Sequence, residues 1–571
     1  AVLIAPPWGW DAVASYRSLR AWAQHLARAG HITLRFDFPA SGDSGGAPGD
    51  AARLEVWVAA ITAAADWLRA DSGCGRIATL GLGFGGLVAG KAIADGARID
   101  DLVLWAAAAR GRAFVREQRA LSQLQSSRVT LTGEPLPSGL PEGWLEAGGF
   151  VLAAETIEAL ERVDLRSLRP GGLERALLLE RDGAAIDARL RAQLEACGVA
   201  VTSGPGDGWE AMVFHPERPE PPEEVFSRVT SWLAQAPEPA TVRPARPPAR
   251  AVGEIVLEAD GVRVRESPLT VQWGDGRLVG VLAEPVDAPE AGLCAVFLNA
   301  GAVRRIGPNR IWVEAARRWA ASGVPVLRID LEGIGDADGD GGRYRDAAKF
   351  YVPELLDQVA VVLDALEARG LGDRFVLAGL CAGGYLAFQA AVREQRVGAA
   401  LLLNAGALVW DDDLPRRREG RKIARVLDSD WQRRILRGDV TIARMRAIAG
   451  DYARHTIRRR LRVRRTPAGP PVTTSIHLAL DRLRDTGTRL VLAFSEDDAL
   501  HADLEADGIL ARLDRWPTVE LERLPARDHT LRPIVAQRAV HDLLDRHLAI
   551  ELTRTGVAVG GAGTTTRERK A

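Results

Sequence analysis

The sequence contains no apolar run approaching the roughly 18 residues a bilayer-spanning helix needs, so no helix is expected to cross a membrane. It has four cysteines, Cys74, Cys197, Cys294 and Cys381, and none stands in CxxC or Cys/His metal spacing. That scarcity argues against a disulfide framework or a zinc site and points to a reducing compartment, hence a cytoplasmic location. Excess charge is missing too. The formal net charge is -1, so the molecule as a whole has no electrostatic pull towards nucleic acid or membrane, and any such pull is local. The opening "AVLIAPPWGW" shows neither a Met nor a signal-peptide pattern and begins inside what reads as a strand. The chain is therefore expected to be a fragment, and its first residues leave open whether a targeting segment precedes them.

What is present is ordinary globular composition over an unusual length. At 571 residues, with 47% hydrophobic and 26% charged residues, the chain is too long for one core, and two domains with connectors are expected. Short apolar runs alternate with amphipathic segments: "AVLIAP", "YRSLRAWAQHLARAG", "HITLRFDFP", "DAARLEVWVAAITAAADWLRA", "RIATLGL" and "DLVLWAAA". This alternation predicts an α/β fold, a mostly parallel sheet with helices on both faces.

The second half repeats the plan with "LCAVFLNAG", "RIWVEAARRWAASG", "VPVLRIDLEG", "YVPELLDQVAVVLDALEARG", "RFVLAGLC" and "GAALLLNAG". The phrases "LRFDFPASGDSGG" and "LRIDLEGIGDADG" fill the same slot, which marks an internal duplication. Two strand phrases, "EIVLEAD" and "LTVQWGDGRLVGVLAEP", precede the second copy alone. The expected organisation is a truncated, non-catalytic domain over 1–236, a proline-rich linker over 237–252 and a catalytic domain over 253–550. A helical lid over about 408–486 and a disordered tail over 551–571 complete it.

The second copy carries a reactive side chain where chemistry needs one. Gly379-Leu380-Cys381-Ala382-Gly383 places a cysteine between an apolar strand and an apolar helix, with small residues two positions either side. A strained strand-to-helix turn requires those small residues, and the helix start beyond it favours a thiolate. "TRLVLAFSEDDAL" is a later strand ending in acids, where Asp498 is the candidate orienting carboxylate and Asp497 its rival; Asp411 to Asp413 after the preceding strand also offer carboxylates. Of the second half's histidines, His541 and His547 fall in the last helix, His455 and His477 in the insertion, and His501 at a helix start. His529, in "PARDHTLRP", alone sits on a late loop after a strand. Nucleophile, acid, histidine is the α/β-hydrolase order. An acyl-transfer site also needs two N–H donors for its oxyanion. Ala382 and Ala302 are the candidates, and the loop beyond Ala302 brings Arg304, Arg305 and Arg310; Arg305 and Arg310 are candidate contacts for a substrate carboxylate or phosphate, or else surface arginines at a helix start.

On "LRFDFPASGDSGG" in the first half, and on "NAGAVRRIGPNR", "LRIDLEGIGDADG", "GLCAGG" and "ARDHT" in the second, the chain resembles α/β-hydrolases. It is similar to the serine aminopeptidase-like (monoacylglycerol-lipase-like) hydrolases and to the paired hydrolases associated with exosortase systems. The resemblance covers nearly the whole chain outside linker and tail. It implies ester, thioester or amide chemistry with neither metal nor organic cofactor. Cysteine in place of serine departs from the family pattern.

The first copy reads Gly81-Leu82-Gly83-Phe84-Gly85, and Gly83 has no side chain to attack with. Asp182 matches the acid position, while Glu210 or Trp209 replaces the histidine and His215 lies about a turn later. This copy is expected to be silent. The insertion over the second site is dense in arginine, as in "YARHTIRRRLRVRR" with Arg458, Arg459 and Arg460. It offers a landing place for a coenzyme A- or acyl-carrier-linked substrate, or it is simply a solvated helix face. No nucleic-acid-binding fold accompanies the charge. The residues thus point to a cysteine hydrolase of small acyl esters or thioesters. An acyltransferase with the same triad is the nearest alternative, and an inactive scaffold with a basic docking surface is the alternative of another class.

Overall fold

The structure, a computed structural model, describes residues 1–129, 139–167, 169–218, 220–237, 253–287, 292–411, 413–415, 418 and 475–555. Nearly all of the expected linker, most of the expected lid with Arg458, Arg459 and Arg460, and tail residues 556–571 lie outside the described residues.

The first half is built from β1 (Val2–Ala5), α1 (Trp10–Arg28), β2 (Thr33–Arg35), α2 (Arg53–Ser72), β3 (Ala78–Leu82), α3 (Phe84–Ala94), β4 (Asp101–Trp105) and α4 (Gly111–Val129). It continues through a small hairpin, β5 (Leu145–Ala147) and β6 (Phe150–Leu152), to α5 (Ala154–Arg162), β7 (Arg175–Leu179), α6 (Ala188–Ala196), β8 (Ala200–Gly204), α7 (Trp209–Val213) and α8 (Glu223–Leu233). The main sheet runs β2-β1-β3-β4-β7-β8, and every pair in it is parallel. Its strands β1, β3 and β4 are buried along their whole length, as a sheet covered on both faces requires.

The second half contains β9 (Ile255–Ala259), β10 (Val262–Trp273), β11 (Gly276–Pro285), β12 (Cys294–Leu298), α9 (Ile311–Ala321), β13 (Val326–Asp330), α10 (Pro353–Glu367), β14 (Phe375–Leu380) and α11 (Ala382–Arg393). Then come β15 (Val397–Leu403), α12 (Ile476–Thr486), β16 (Arg489–Phe494), α13 (Ala499–Ala506), β17 (Val519–Arg523) and α14 (Ile534–Thr555). Its sheet runs β17-β16-β15-β14-β12-β13-β11-β10-β9. The first six strands in that order reproduce β8-β7-β4-β3-β1-β2 strand for strand. The remaining three are antiparallel. The sequence suggested two strands here; the second phrase is in fact a hairpin. Trp273 pairs with Gly276 across a two-residue turn, and Gly274 at φ 53 supplies the positive φ that such a turn needs.

The two halves meet through a reciprocal ionic contact. Arg35 at the end of β2 bonds Asp336 of the second half at 3.0 Å. Arg328, which holds the same place in β13, bonds Asp43, the counterpart of Asp336. Arg20 of α1 donates to the Gly335 carbonyl at 3.0 Å, and Arg317 of α9 donates to the Asp43 carbonyl at 2.9 Å. Both loops have the same internal geometry: Asp43 N donates to Asp37 and Asp336 N to Asp330, each at 3.1 Å. Burial alone would raise the Asp43 carboxyl, but Arg305, Arg328 and Arg304 hold it well below the ordinary carboxylate range.

A second contact supports the end of the other sheet. The β5–β6 turn presents the Gly148 carbonyl to Asn309 Nδ2 at 2.7 Å and the Gly149 carbonyl to Gln537 Nε2 at 2.8 Å. A Cβ on Gly149 would collide with the Arg532 carbonyl, so the approach is one only glycine permits.

Candidate active site

β14 ends at Leu380, and Cys381 turns the chain into α11 with φ 56 and ψ -117. A side chain at Gly379 would collide with the Gly383 backbone, one at Gly383 would lie 2.5 Å from the Asn299 carbonyl, and one at Gly384 2.7 Å from Ala405 Cβ. The glycine pattern is therefore a packing requirement of the turn. Cys381 N donates to the Leu403 carbonyl (3.1 Å) and its own carbonyl accepts from Gly406 N (2.9 Å), which fixes the strained residue from both sides.

His529 lies on the loop between β17 and α14. Asn404 Nδ2 holds its carbonyl at 2.9 Å, and Asp528 ties the loop together by accepting from Thr530, from Arg532 N and from the Arg532 guanidinium. The His529 ring stands between two partners. Its Nδ1 faces Asp498 Oδ2 at 3.6 Å, and Cys381 is the other group that acts on the ring. Desolvation disfavours the charged ring, but Asp498 and Cys381 outweigh it and push the His529 pKa up to about 10.

Between the two neighbouring aspartates the helix start decides. Asp498 is buried and caps α13, its Oδ1 accepting from Leu500 N (2.9 Å) and His501 N (3.3 Å), which leaves Oδ2 for the histidine. Asp497 is exposed, at φ 61. Asp411 caps its own turn, accepting from Asp413 N at 2.8 Å. The structure thus brings Cys381, His529 and Asp498 together.

The loop after β12 carries Ala302 beside the start of α11, since Asn299 lies against Gly383. Buried Asn299 pins that loop: its Nδ2 donates to the Val303 carbonyl (3.1 Å) and to Asp330 (3.0 Å), and its Oδ1 accepts from Leu331 N (3.0 Å). Among the described residues neither Ala302 N nor Ala382 N has an acceptor, which leaves both free for a developing oxyanion.

Arg305 and Arg310 are not at the site, a correction to the sequence expectation. Arg305 is buried and engaged by Asp43 (2.7 Å), Asp330 (2.7 Å) and Asp336 (3.0 Å). Arg310 is buried beside Glu314 at 3.0 Å, and Arg304 bonds Asp37 at 2.8 Å. Arg304 and Arg305 are drawn into the contact between halves by Asp37 and Asp43, whereas Arg310 is held by Glu314 on its own helix.

Tyr351 belongs to the site although no motif signalled it. It stacks on Trp410 with ring centroids 4.0 Å apart. Its hydroxyl lies where a side chain on Gly406 would otherwise be. Burial first, then the charge of Cys381, push its pKa well above the usual tyrosine value. Beyond Tyr351, Arg418 bonds the Gly406 carbonyl and Asp503, each at 2.7 Å. Among the described residues no three His, Cys, Asp or Glu side chains are grouped to hold a metal ion.

The first half keeps the turn without the chemistry. Gly83 has φ 53 and ψ -119, almost the values of Cys381. Of Trp209, Glu210 and His215, the residue that stands over it is Trp209. Asp182 accepts hydrogen bonds from the N–H groups of Gly208 (2.5 Å), Trp209 (3.2 Å) and Glu210 (2.9 Å). An acid that would orient an imidazole here anchors a helix start instead.

The model of the alpha/beta hydrolase family matches residues 295–543, from β12 into α14. No curated protein matches the sequence. Among solved structures, proline iminopeptidase of Mycobacterium smegmatis is 20% identical, over 50% of this chain and 100% of that one, with a TM-score of 0.32. Est1E of Butyrivibrio proteoclasticus, solved with ferulic acid bound, is 14% identical over 50% and 99%, at 0.32. The thioesterase domain from the curacin biosynthetic pathway is 15% identical over 49% and 99%, at 0.29. Residues 295–543 form a domain of the alpha/beta hydrolase family.

Proposed function

We propose that the second half is a hydrolase of esters or thioesters working through an acyl-enzyme on Cys381. The observation that carries this reading is the His529 ring standing between Cys381 and the capped Asp498. His529 takes the thiol proton, and the sulfur forms a C–S bond to the substrate carbonyl carbon. The resulting oxyanion is held by the Ala302 and Ala382 N–H groups. Collapse breaks the bond to the alcohol or thiol, which leaves with the proton from His529. Water then gives a proton to His529 and attacks the acyl carbon; the acid departs and Cys381 recovers its proton. The first half is, on this reading, a degenerate copy that buttresses the active one.

The test is intact-mass and peptide mapping after exposure to a small activated acyl ester. An acyl adduct confined to Cys381, and at least tenfold slower to form in His529→Ala, is expected. Uniform, slow modification of all four cysteines would defeat the proposal. Product analysis with added alcohols and amines distinguishes release to water from transfer to an acceptor.

A further inference from the structure

One residue of the silent half reaches the site of the other. Glu217 lies just after α7, in a turn where its N–H donates to His215 Nδ1 (3.2 Å) and Arg218 N to the His215 carbonyl (3.1 Å). Its carboxylate rests against Gly301, so close that a Cβ on Gly301 would collide with Oε1. Gly301 immediately precedes Ala302 in the oxyanion loop. Tyr351 lies within electrostatic reach of both Cys381 and Glu217. Glu217 is half-buried, and among the described residues neither a cation nor a hydrogen-bond donor pairs with its side chain.

The position is chemically awkward for an ordinary acyl group. Ala302 N and Ala382 N are set to receive negative charge in the transition state, and a carboxylate next to that loop opposes it. A neutral or anionic substrate leaves the repulsion in place. A substrate ammonium seated against Glu217 cancels it and gains a charge-assisted hydrogen bond. We infer that Glu217 selects esters or thioesters whose acyl group carries a protonated amine close to the scissile carbonyl, an aminoacyl class. The inference rests on the proposed role of Cys381. It also gives the vestigial acid of the first half a use: Asp182 grips Gly208, Trp209 and Glu210, the start of the short helix that delivers Glu217.

Charge selectivity at the sulfur tests this without a known substrate. The full chain is treated with aminoethyl, methyl and sulfonatoethyl methanethiosulfonates, and modification of Cys381 is followed by peptide mapping and normalised to exposed Cys197. The expected result is a cationic-over-neutral rate ratio of about tenfold or more, as a charge-assisted contact supplies. That ratio should fall close to one in Glu217→Gln and invert in Glu217→Lys. A ratio unchanged by both substitutions overturns the inference while leaving the nucleophile in place. A Cys381 that reacts with none of the three reagents, while Cys197 reacts, refutes the nucleophile reading and this inference with it.

Discussion

The Trp209 ring stands over Gly83, with Cζ2 and Cη2 at 3.2 and 3.1 Å from where a side chain on that glycine would begin. The indole thus fills the place that a nucleophile's side chain would need. It is held there by Asp182 below and by an edge-to-face contact with Trp105 at 5.1 Å. Gly83 offers no side chain to attack with, and the indole occupies the space one would need.

Restoring a hydroxyl is therefore expected to fail. Gly83→Ser should gain no hydrolysis of any ester the wild type accepts, and should cost about 1–3 kcal/mol through positive φ and overpacking against Trp209. Thermal denaturation and an ester panel check both parts. A variant with new activity after Cys381 is blocked would contradict the reading of a filled site.

On the proposed mechanism the corresponding strain, at Cys381, presents the nucleophile. Cys381→Gly should abolish acyl-enzyme formation yet leave stability unchanged or raise it by up to about 1 kcal/mol, the left-handed penalty relieved less the extra chain entropy of glycine. Differential scanning calorimetry reads the sign. A clear loss of stability would mean that the turn at φ 56 is not strained.

The His529 pKa of about 10 has a definite consequence for pH. A histidine whose folded pKa lies above its unfolded value near 6.5 contributes stability that is complete below about pH 6.5 and is lost as pH rises through the folded value. The difference in melting temperature between wild type and His529→Gln should shrink from pH 6.5 to 10. The ring is 46% exposed, so solvent screening keeps the shrinkage modest. Asp498→Asn should lower the His529 pKa in an NMR titration and slow acylation by about 10²- to 10⁴-fold. An unshifted titration would remove Asp498 from the triad.

The contact between halves depends on Asp43, which pairs with Arg305 at 2.7 Å and with fully buried Arg328. Asp43→Ala leaves those guanidiniums short of a partner and should destabilise the protein by about 3–5 kcal/mol. Denaturant unfolding measures it. A cost below about 1 kcal/mol would show that the two halves are held together by something else.

The plan of both sheets was readable from the alternation of apolar runs, and the duplicated "LRFD" and "LRID" phrases located matching strands, because period and turn chemistry are local properties. The same holds for Cys381: glycines at 379 and 383 are demanded by backbone atoms within a few residues. The choice of Asp498 over Asp497 was not local, since it turned on which of them capped α13 and so kept an oxygen for His529. Nearly all of the linker and most of the arginine-rich insertion lie outside the described residues.

What the sequence determined by itself was the set of elements and the order of nucleophile, acid and histidine, each fixed by neighbours along the chain. The tertiary structure decided where charge goes. Arg305 reads as a ligand for substrate until Asp43, from the first half, is seen to take it; Glu217, which no motif marks, is found against Gly301. Ionic and steric contacts between residues far apart in the chain leave no period or motif in it, because their energy depends on distance in space alone.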